Sequence, residues 1–354
     1  MTSTSESGDV AHSIESSAAA PRRTALRRIT GAPNGRILGV GAYRPARVVP
    51  NSEIVERIDS TDEWIQSRSG IKSRRWAGEG ESVTDMSVAA AGKALAAAGI
   101  SADQIGCTIV STVSHPLQTP SAAAVVSERL GSKTAAFDIS AACAGFCFGI
   151  AMGNDLIRGG SAEHVLVVGV ERLSDFTDPD DRTIAFIFAD GAGAAVLGPS
   201  EEPAIGPVVW GSDGAQANLI EQRPSWLDVR DSEDKIWPSL RMEGQPVYRW
   251  AVFEMAKVAQ RALDAAGITA ADLDAFIPHQ ANVRIIDALV RTLKLPAHVA
   301  VARDVVDSGN TSAASVPLAM ERMLHTGEAP SGGTALIIGF GAGLVYAAQV
   351  VTLP

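Results

Sequence analysis

The chain has 354 residues, 46% of them hydrophobic and only 5% aromatic, with 33 glycines, which suits a closely packed α/β protein built as one large domain or two fused halves. Its net charge of −10 argues against general nucleic-acid binding, and no apolar run reaches the roughly 18 residues that span a bilayer. Three cysteines give no disulfide framework and point to a reducing, cytoplasmic setting.

Residues 1–34 are rich in Ser, Ala and Arg and contain no apolar core of a secretory signal. Arg22, Arg23, Arg27 and Arg28 hint at a transit peptide, but Glu6, Asp9 and Glu15 weaken that reading, and a disordered extension is expected. From residue 35, strand-like and helix-like segments alternate. Ala94–Ile109 reads as a helix closed by Gly99 at a left-handed cap, then an apolar strand. The helix expected over 144–157 begins directly after Cys143. Asp190 to Ala194 precedes an apolar strand and reads as packing. Pro278-His279 follows another apolar strand, and Gly309-Asn310-Thr311-Ser312 forms a loop before an Ala-rich helix. An apolar strand at 335–338 is expected to end in Gly339-Phe340-Gly341-Ala342-Gly343, before a last strand-like run from Leu344 to Val351.

The chain contains itself twice. Ala94–Ile109 and Ala262–Ile277 match without a gap at an offset of 168, with 8 of 16 positions identical. Leu166-Val167-Val168-Gly169 matches Leu336-Ile337-Ile338-Gly339 at an offset of 170. Two matches at nearly one spacing point to duplication, with halves at 35–203 and 204–354. Carried along the chain, the offset of 168 sets Ser111 against His279, Ala142 against Asn310 and Cys143 against Thr311. An active site between two related halves follows.

A thiol at a helix start feels unpaired N–H groups and the positive end of the dipole, so a lowered pKa is expected for Cys143. Cys107 and Cys147 read as small core residues. A metal pair of Cys143 and Cys147 lacks further ligands at suitable spacing. His279 projects from a strand end, where α/β sites gather. His115 is its rival, while His164, His298 and His325 read as surface residues. Asn310 after a glycine also suits plain turn chemistry, and only its registry with the Cys143 loop favours the site. The late glycine segment lacks G-x-G-x-x-G spacing, so a dinucleotide loop is rejected in favour of backbone N–H groups facing an oxyanion.

Four segments together resemble β-ketoacyl-acyl carrier protein synthase III of the thiolase superfamily, over residues 35–354. They are Ser60-Thr61-Asp62-Glu63-Trp64-Ile65, Ala141-Ala142-Cys143-Ala144-Gly145-Phe146, Pro278-His279-Gln280-Ala281-Asn282 and Gly309-Asn310-Thr311-Ser312-Ala313-Ala314-Ser315. The resemblance implies a five-layer αβαβα fold, a homodimer, and no cofactor beyond the CoA thioester that is substrate. It implies an acyltransferase that starts fatty-acid synthesis by decarboxylative Claisen condensation of an acyl-CoA with malonyl-acyl carrier protein. Cys143 would carry the acyl group, His279 and Asn310 would bind the thioester oxygen of the malonyl partner, and the N–H groups of Cys143 and Ala342 would hold the oxyanion. By the same resemblance Trp64, Arg68, Arg182, Tyr248, Asn282 and Phe340 would bind substrate and CoA. Thr119, Leu173 and Phe188 would line the acyl pocket, and Arg249, Arg284 and Arg291 would meet the acidic carrier protein.

Two departures from the family pattern stand out. Thr183 follows Arg182 where Gly is common, and Thr119 stands where Phe often reaches across the dimer. The smaller Thr119 leads us to expect branched or long primers to be accepted beside acetyl. A thiolase would need a cysteine in the late glycine segment, and elongating ketosynthases place a second His where Asn310 stands. A type III polyketide synthase shares Cys, His and Asn but works on CoA esters alone. A starter enzyme of a natural-product pathway remains open. A papain-like hydrolase lacks the local cysteine sequence, and a dead partner subunit would lack the nucleophile.

Overall fold

The computed structural model describes residues 1–2, 26 and 29–354. The arginine-rich part of the N-terminal extension lies outside the described residues. The first half comprises β1 (Asn34–Tyr43), α1 (Asp62–Ser69), α2 (Val83–Ala98), β2 (Ile105–Ser111), α3 (Ala122–Leu130), β3 (Ala135–Ile139), α4 (Gly145–Arg158), β4 (His164–Arg172) and β5 (Asp190–Ser200). The second comprises β6 (Val209–Ser212), α5 (Gly244–Ala266), β7 (Ala275–Pro278), α6 (Val283–Leu293), β8 (Ala300–Val301), α7 (Ser315–Thr326), β9 (Thr334–Gly341) and β10 (Val345–Thr352).

Each half forms one five-stranded sheet, in the orders β1-β5-β4-β2-β3 and β6-β10-β9-β7-β8. The second order is the first with every strand replaced by its counterpart. Strand directions also agree: the central pairs β4/β2 and β9/β7 are parallel, while β4/β5 and β9/β10 are antiparallel. α2 and α5 both end on glycines with positive φ, Gly99 (68°) and Gly267 (72°), the caps expected from the repeated sequence.

Three apolar layers hold the five tiers together. Ala-rich α2 packs its buried face on the outer side of the first sheet, among Val110, Leu166 and Val168. On the second sheet, α5 and α6 cover Phe276, Leu336 and Ile338. Between the sheets lie α4 and α7, whose Phe146, Ile150, Val316 and Met320 share one cluster with strand residues from both halves. Burial explains why α4 and the first half of α7 are apolar, while Glu321, Arg322 and His325 follow where α7 leaves the layer.

The glycines admit this inner layer. A Cβ on Gly339 of β9 would sit 2.8 Å from Ala144 Cα, and one on Gly169 of β4 would sit 2.2 Å from Ala313 O. Each central strand therefore receives the turn of the opposite half. Here the expected register needs correcting. β2 and β7 keep the offset of 168, with Ser111 matching His279. Two extra residues enter before the next elements, and the helical turns Ala142–Ala144 and Ser312–Ala314 match at 170. Ala142 thus corresponds to Ser312, not Asn310, and both have positive φ, 43° and 47°.

Two further expectations change. Asp190 to Ala194 and Gly339 to Gly341 lie inside β5 and β9 rather than beside them. Antiparallel neighbours extend these strands through their glycines, which local composition alone disfavours. His164 is buried at the start of β4 rather than on the surface, because its ring lies under the Gly198 backbone of β5. His298 and His325 are exposed, as expected.

Candidate active site

Cys143, His279 and Asn310 meet in a cavity of about 70 Å³ enclosed by Val113, Leu173, Phe188, Trp250 and Phe340. Cys143 sits in the turn that feeds α4. A Cβ on Gly341 would lie 2.8 Å from Cys143 Sγ, so this position of β9 must be glycine for the thiol to fit. Burial pushes the thiol up to about 12, against the lowering expected from the helix start, and the Ser312 hydroxyl draws it back only in part. Desolvation of the thiolate outweighs the dipole here. Cys107 and Cys147 are buried core residues.

His279 leaves β7 with its backbone N–H bonded to Ile338 O at 2.7 Å. Its Nδ1 lies 2.7 Å from Ser315 Oγ, which also accepts from the Gln280 N–H at 3.3 Å. A Ser315 hydroxyl that donates to Nδ1 would place the ring proton on Nε2. Burial lowers the imidazole to about 3, so it is neutral. Phe340 packs edge-on against the ring, with centroids 5.2 Å apart. His115 does not line this cavity.

Asn310 is clamped through its backbone: its N–H donates to Ile187 O and its carbonyl accepts from the Ala189 N–H, both at 2.9 Å. Its Oδ1 accepts from the Ser312 N–H at 2.8 Å. The carboxamide thereby has its oxygen engaged by the turn and both N–H groups left for a ligand. Turn chemistry and site chemistry are the same feature here. Ala342 also lines the cavity, and among the described residues its N–H has no backbone acceptor.

Of the remaining sequence candidates, Leu173, Phe188 and Phe340 line the cavity, and Thr119 does not. Thr119 sits on an exposed loop of this chain. Trp64, on α1, has two guanidiniums over its ring, Arg68 at 5.7 Å and Arg182 at 5.2 Å from its centre. A flat aromatic face flanked by two cations fits an adenine nucleotide with its phosphates. Asn282 caps α6 through Ile285 N at 3.0 Å, which leaves its amide N–H₂ for a ligand. Arg284 lies over the Tyr248 ring at 5.0 Å. Arg249, Arg284 and Arg291 are exposed, and among the described residues none pairs with a carboxylate. Thr183 turns its hydroxyl to Asp181 at 2.6 Å. Sequence reading missed Ser312, Ser315 and Glu171. Ser and Glu carry no signal until the fold shows what they touch.

Models of the 3-oxoacyl-[acyl-carrier-protein] synthase III family match residues 137–214, and of its C-terminal part residues 263–353. A beta-ketoacyl-[acyl-carrier-protein] synthase III of Streptomyces glaucescens is 65% identical over 330 residues, covering 93% of this chain and 99% of the relative. The chain belongs to the β-ketoacyl-[acyl-carrier-protein] synthase III family. Solved structures agree with that placement. The priming β-ketosynthase of the R1128 polyketide pathway superposes with a TM-score of 0.91 at 48% identity, over 93% of this chain and 98% of that one. Synthase III from Pseudomonas aeruginosa PAO1 gives 0.83 at 36%, over 91% and 98%. Among the described residues no cluster of His, Cys, Asp and Glu could hold a metal, and no helix is long and apolar enough to cross a membrane.

Proposed function

We propose that this protein is an acyltransferase that condenses an acyl-CoA primer with malonyl-acyl carrier protein and so begins fatty-acid synthesis. The observation that carries this reading is the convergence of Cys143, a neutral His279 and the Asn310 amide on one apolar cavity.

The acyl-CoA binds with its adenine on Trp64 and its phosphates near Arg68 and Arg182. Cys143 Sγ attacks the thioester carbon, CoA leaves with the electron pair of the broken C–S bond, and the acyl group stays on sulfur. The N–H groups of Cys143 and Ala342 hold the oxyanion. The malonyl partner then enters, steered by Arg249, Arg284 and Arg291. His279 Nε2–H and Asn310 Nδ2–H bond its thioester oxygen as carbon dioxide departs. A neutral imidazole suits this step, because imidazolium would protonate the carbanion. The carbanion attacks the acyl-cysteine, and Cys143 leaves as thiolate. The site needs no cofactor for these steps. A homodimer would bring a partner's Thr119 loop to the acyl pocket, and its small side chain would admit branched primers.

Intact-protein mass spectrometry after incubation with acetyl-, isobutyryl- and lauroyl-CoA tests this. One acyl adduct is expected, absent in Cys143→Ala and discharged by malonyl-acyl carrier protein. No adduct from any CoA ester would overturn the reading. The likeness to the R1128 priming enzyme favours a second reading, a natural-product starter. Discharge by a polyketide carrier protein, and not by the fatty-acid carrier protein, would select it.

A further inference from the structure

Among the described residues, Trp250 alone lines both the catalytic cavity, of about 70 Å³, and a cleft of about 700 Å³ beside the exposed Arg249 and Phe253 of α5. Its place follows from the helix. Val247, one turn earlier, faces the catalytic cavity. Phe253 and Glu254, one turn later, face the cleft. Trp250 stands between these two faces and is only 8% exposed. Its indole also packs edge-on against Phe340, with centroids 6.3 Å apart.

The catalytic cavity is small. An apolar cavity of about 150 Å³ holds benzene, so about 70 Å³ has room for a short acyl group on Cys143 and none for a twelve-carbon chain. Other apolar walls back onto packed core. Leu173 and Phe188 share a cluster with Ile184, and Phe340 shares one with Ile338, Leu344 and Ala348. Shortening any of these adds only the volume of the atoms removed. Shortening Trp250 instead joins the cavity to a cleft roughly ten times its volume. Phe253, Val258 and Tyr346 supply apolar contacts in that cleft.

We propose that Trp250 sets the upper limit of primer length by walling the acyl cavity off from this cleft. This rests on Cys143 taking the acyl group from the CoA ester. A longer chain presents the same thioester to the sulfur, and only the place of its methyl end differs. In wild type that end meets the indole. With a small side chain at this position it passes into the cleft. The long primers that Thr119 leads us to expect are therefore stopped at Trp250. The indole bounds the acyl chain and touches none of the reacting atoms, so it determines specificity without taking part in the chemistry.

Equimolar acetyl- and lauroyl-CoA, offered together, test the proposal through the ratio of the two adducts in intact-protein mass spectra. The malonyl partner is left out, because Phe340, against which the indole packs, also rests on His279. Wild type should carry the acetyl adduct almost alone. Trp250→Ala should raise the lauroyl-to-acetyl ratio at least about tenfold and keep the acetyl adduct. Trp250→Leu, which preserves more of the packing, should move the ratio in the same direction, and Leu173→Ala should move it far less. A ratio unchanged in both Trp250 variants would overturn the proposal. So would an equal rise in Leu173→Ala, since any added volume would then serve, or a wild type that takes lauroyl as readily as acetyl. Loss of both adducts in both Trp250 variants would overturn it too, because the indole would then hold the site together rather than bound it. No adduct from either ester in wild type would overturn the acyl-cysteine reading, and this proposal with it.

Discussion

Cys143 and His279 could be picked out because each is a reactive side chain at the end of an element, whereas Asn310 was favoured by a registry with Ala142 that the structure moves to Ser312. Their ionisation was not legible. The dipole argument at Cys143 is local, whereas the burial that outweighs it comes from Leu173, Phe188 and Phe340, far apart in sequence. His279 shows the same effect with a consequence for stability. Its folded pKa, about 3, lies below the ordinary 6.5. Between these values the unfolded chain binds a proton that the native site refuses, so stability falls as pH falls through that window. Glu171, buried on β4, acts oppositely. Its folded value near 7 exceeds the ordinary 4.5, so its contribution is present below 4.5 and lost as pH rises towards 7. Wild type alone would show only the sum. Urea midpoints of wild type and His279→Gln at pH 7 and pH 5 separate the terms. The acid-side loss should be smaller in the variant, and an unchanged loss would place the titrating group elsewhere.

Elements were read best where the chain repeats. The Gly99 and Gly267 caps and both following strands stand where the duplication put them. Register failed after the strands, because the offset of 168 was carried past the point where two residues enter; the later match at 170 marks the insertion but not its place. With the register corrected, each half pairs a strand end with an inner-helix start. In the first half these are Ser111 and Gly145, where a Cβ would meet Ser111 Oγ at 1.6 Å. In the second they are His279 and Ser315, 2.7 Å apart. One half has a small pair that packs, and the other has an imidazole with a hydroxyl beside it. Restoring the glycine of the first half should therefore spare the fold and loosen the ring. A neutral hydrogen bond is worth about 1 kcal/mol, so Ser315→Gly should slow malonyl decarboxylation about five- to tenfold. Acyl-adduct formation on Cys143 should stay near wild type. Equal slowing of both half-reactions would mean that Ser315 supports the helix start rather than the ring.

At the scale of the molecule, charge and topology act together. The duplicated sheets place both inner turns at one boundary, so the two halves share a single cavity, and α5 and α6 stand beside its mouth. The whole chain carries −10, yet Arg249, Arg284 and Arg291 on those helices are exposed without carboxylate partners, unlike Arg303, which pairs with Asp287 at 2.7 Å. Sequence could name these arginines only by resemblance, since an exposed arginine reads alike whether paired or free. A negative protein that must meet an acidic carrier needs a local positive field, and exposed fields are screened within about 8 Å at physiological salt. Turnover limited by carrier protein should therefore fall as salt rises, while acylation by CoA esters changes less. Arg284→Glu should raise KM for malonyl-acyl carrier protein about tenfold or more and remove most of that salt dependence, because it reverses a charge where the field is needed. Its acyl-adduct yield should match wild type, since Arg284 is exposed and lies outside the cavity lining. A variant that loses the adduct but keeps the salt dependence would move the docking face away from α6.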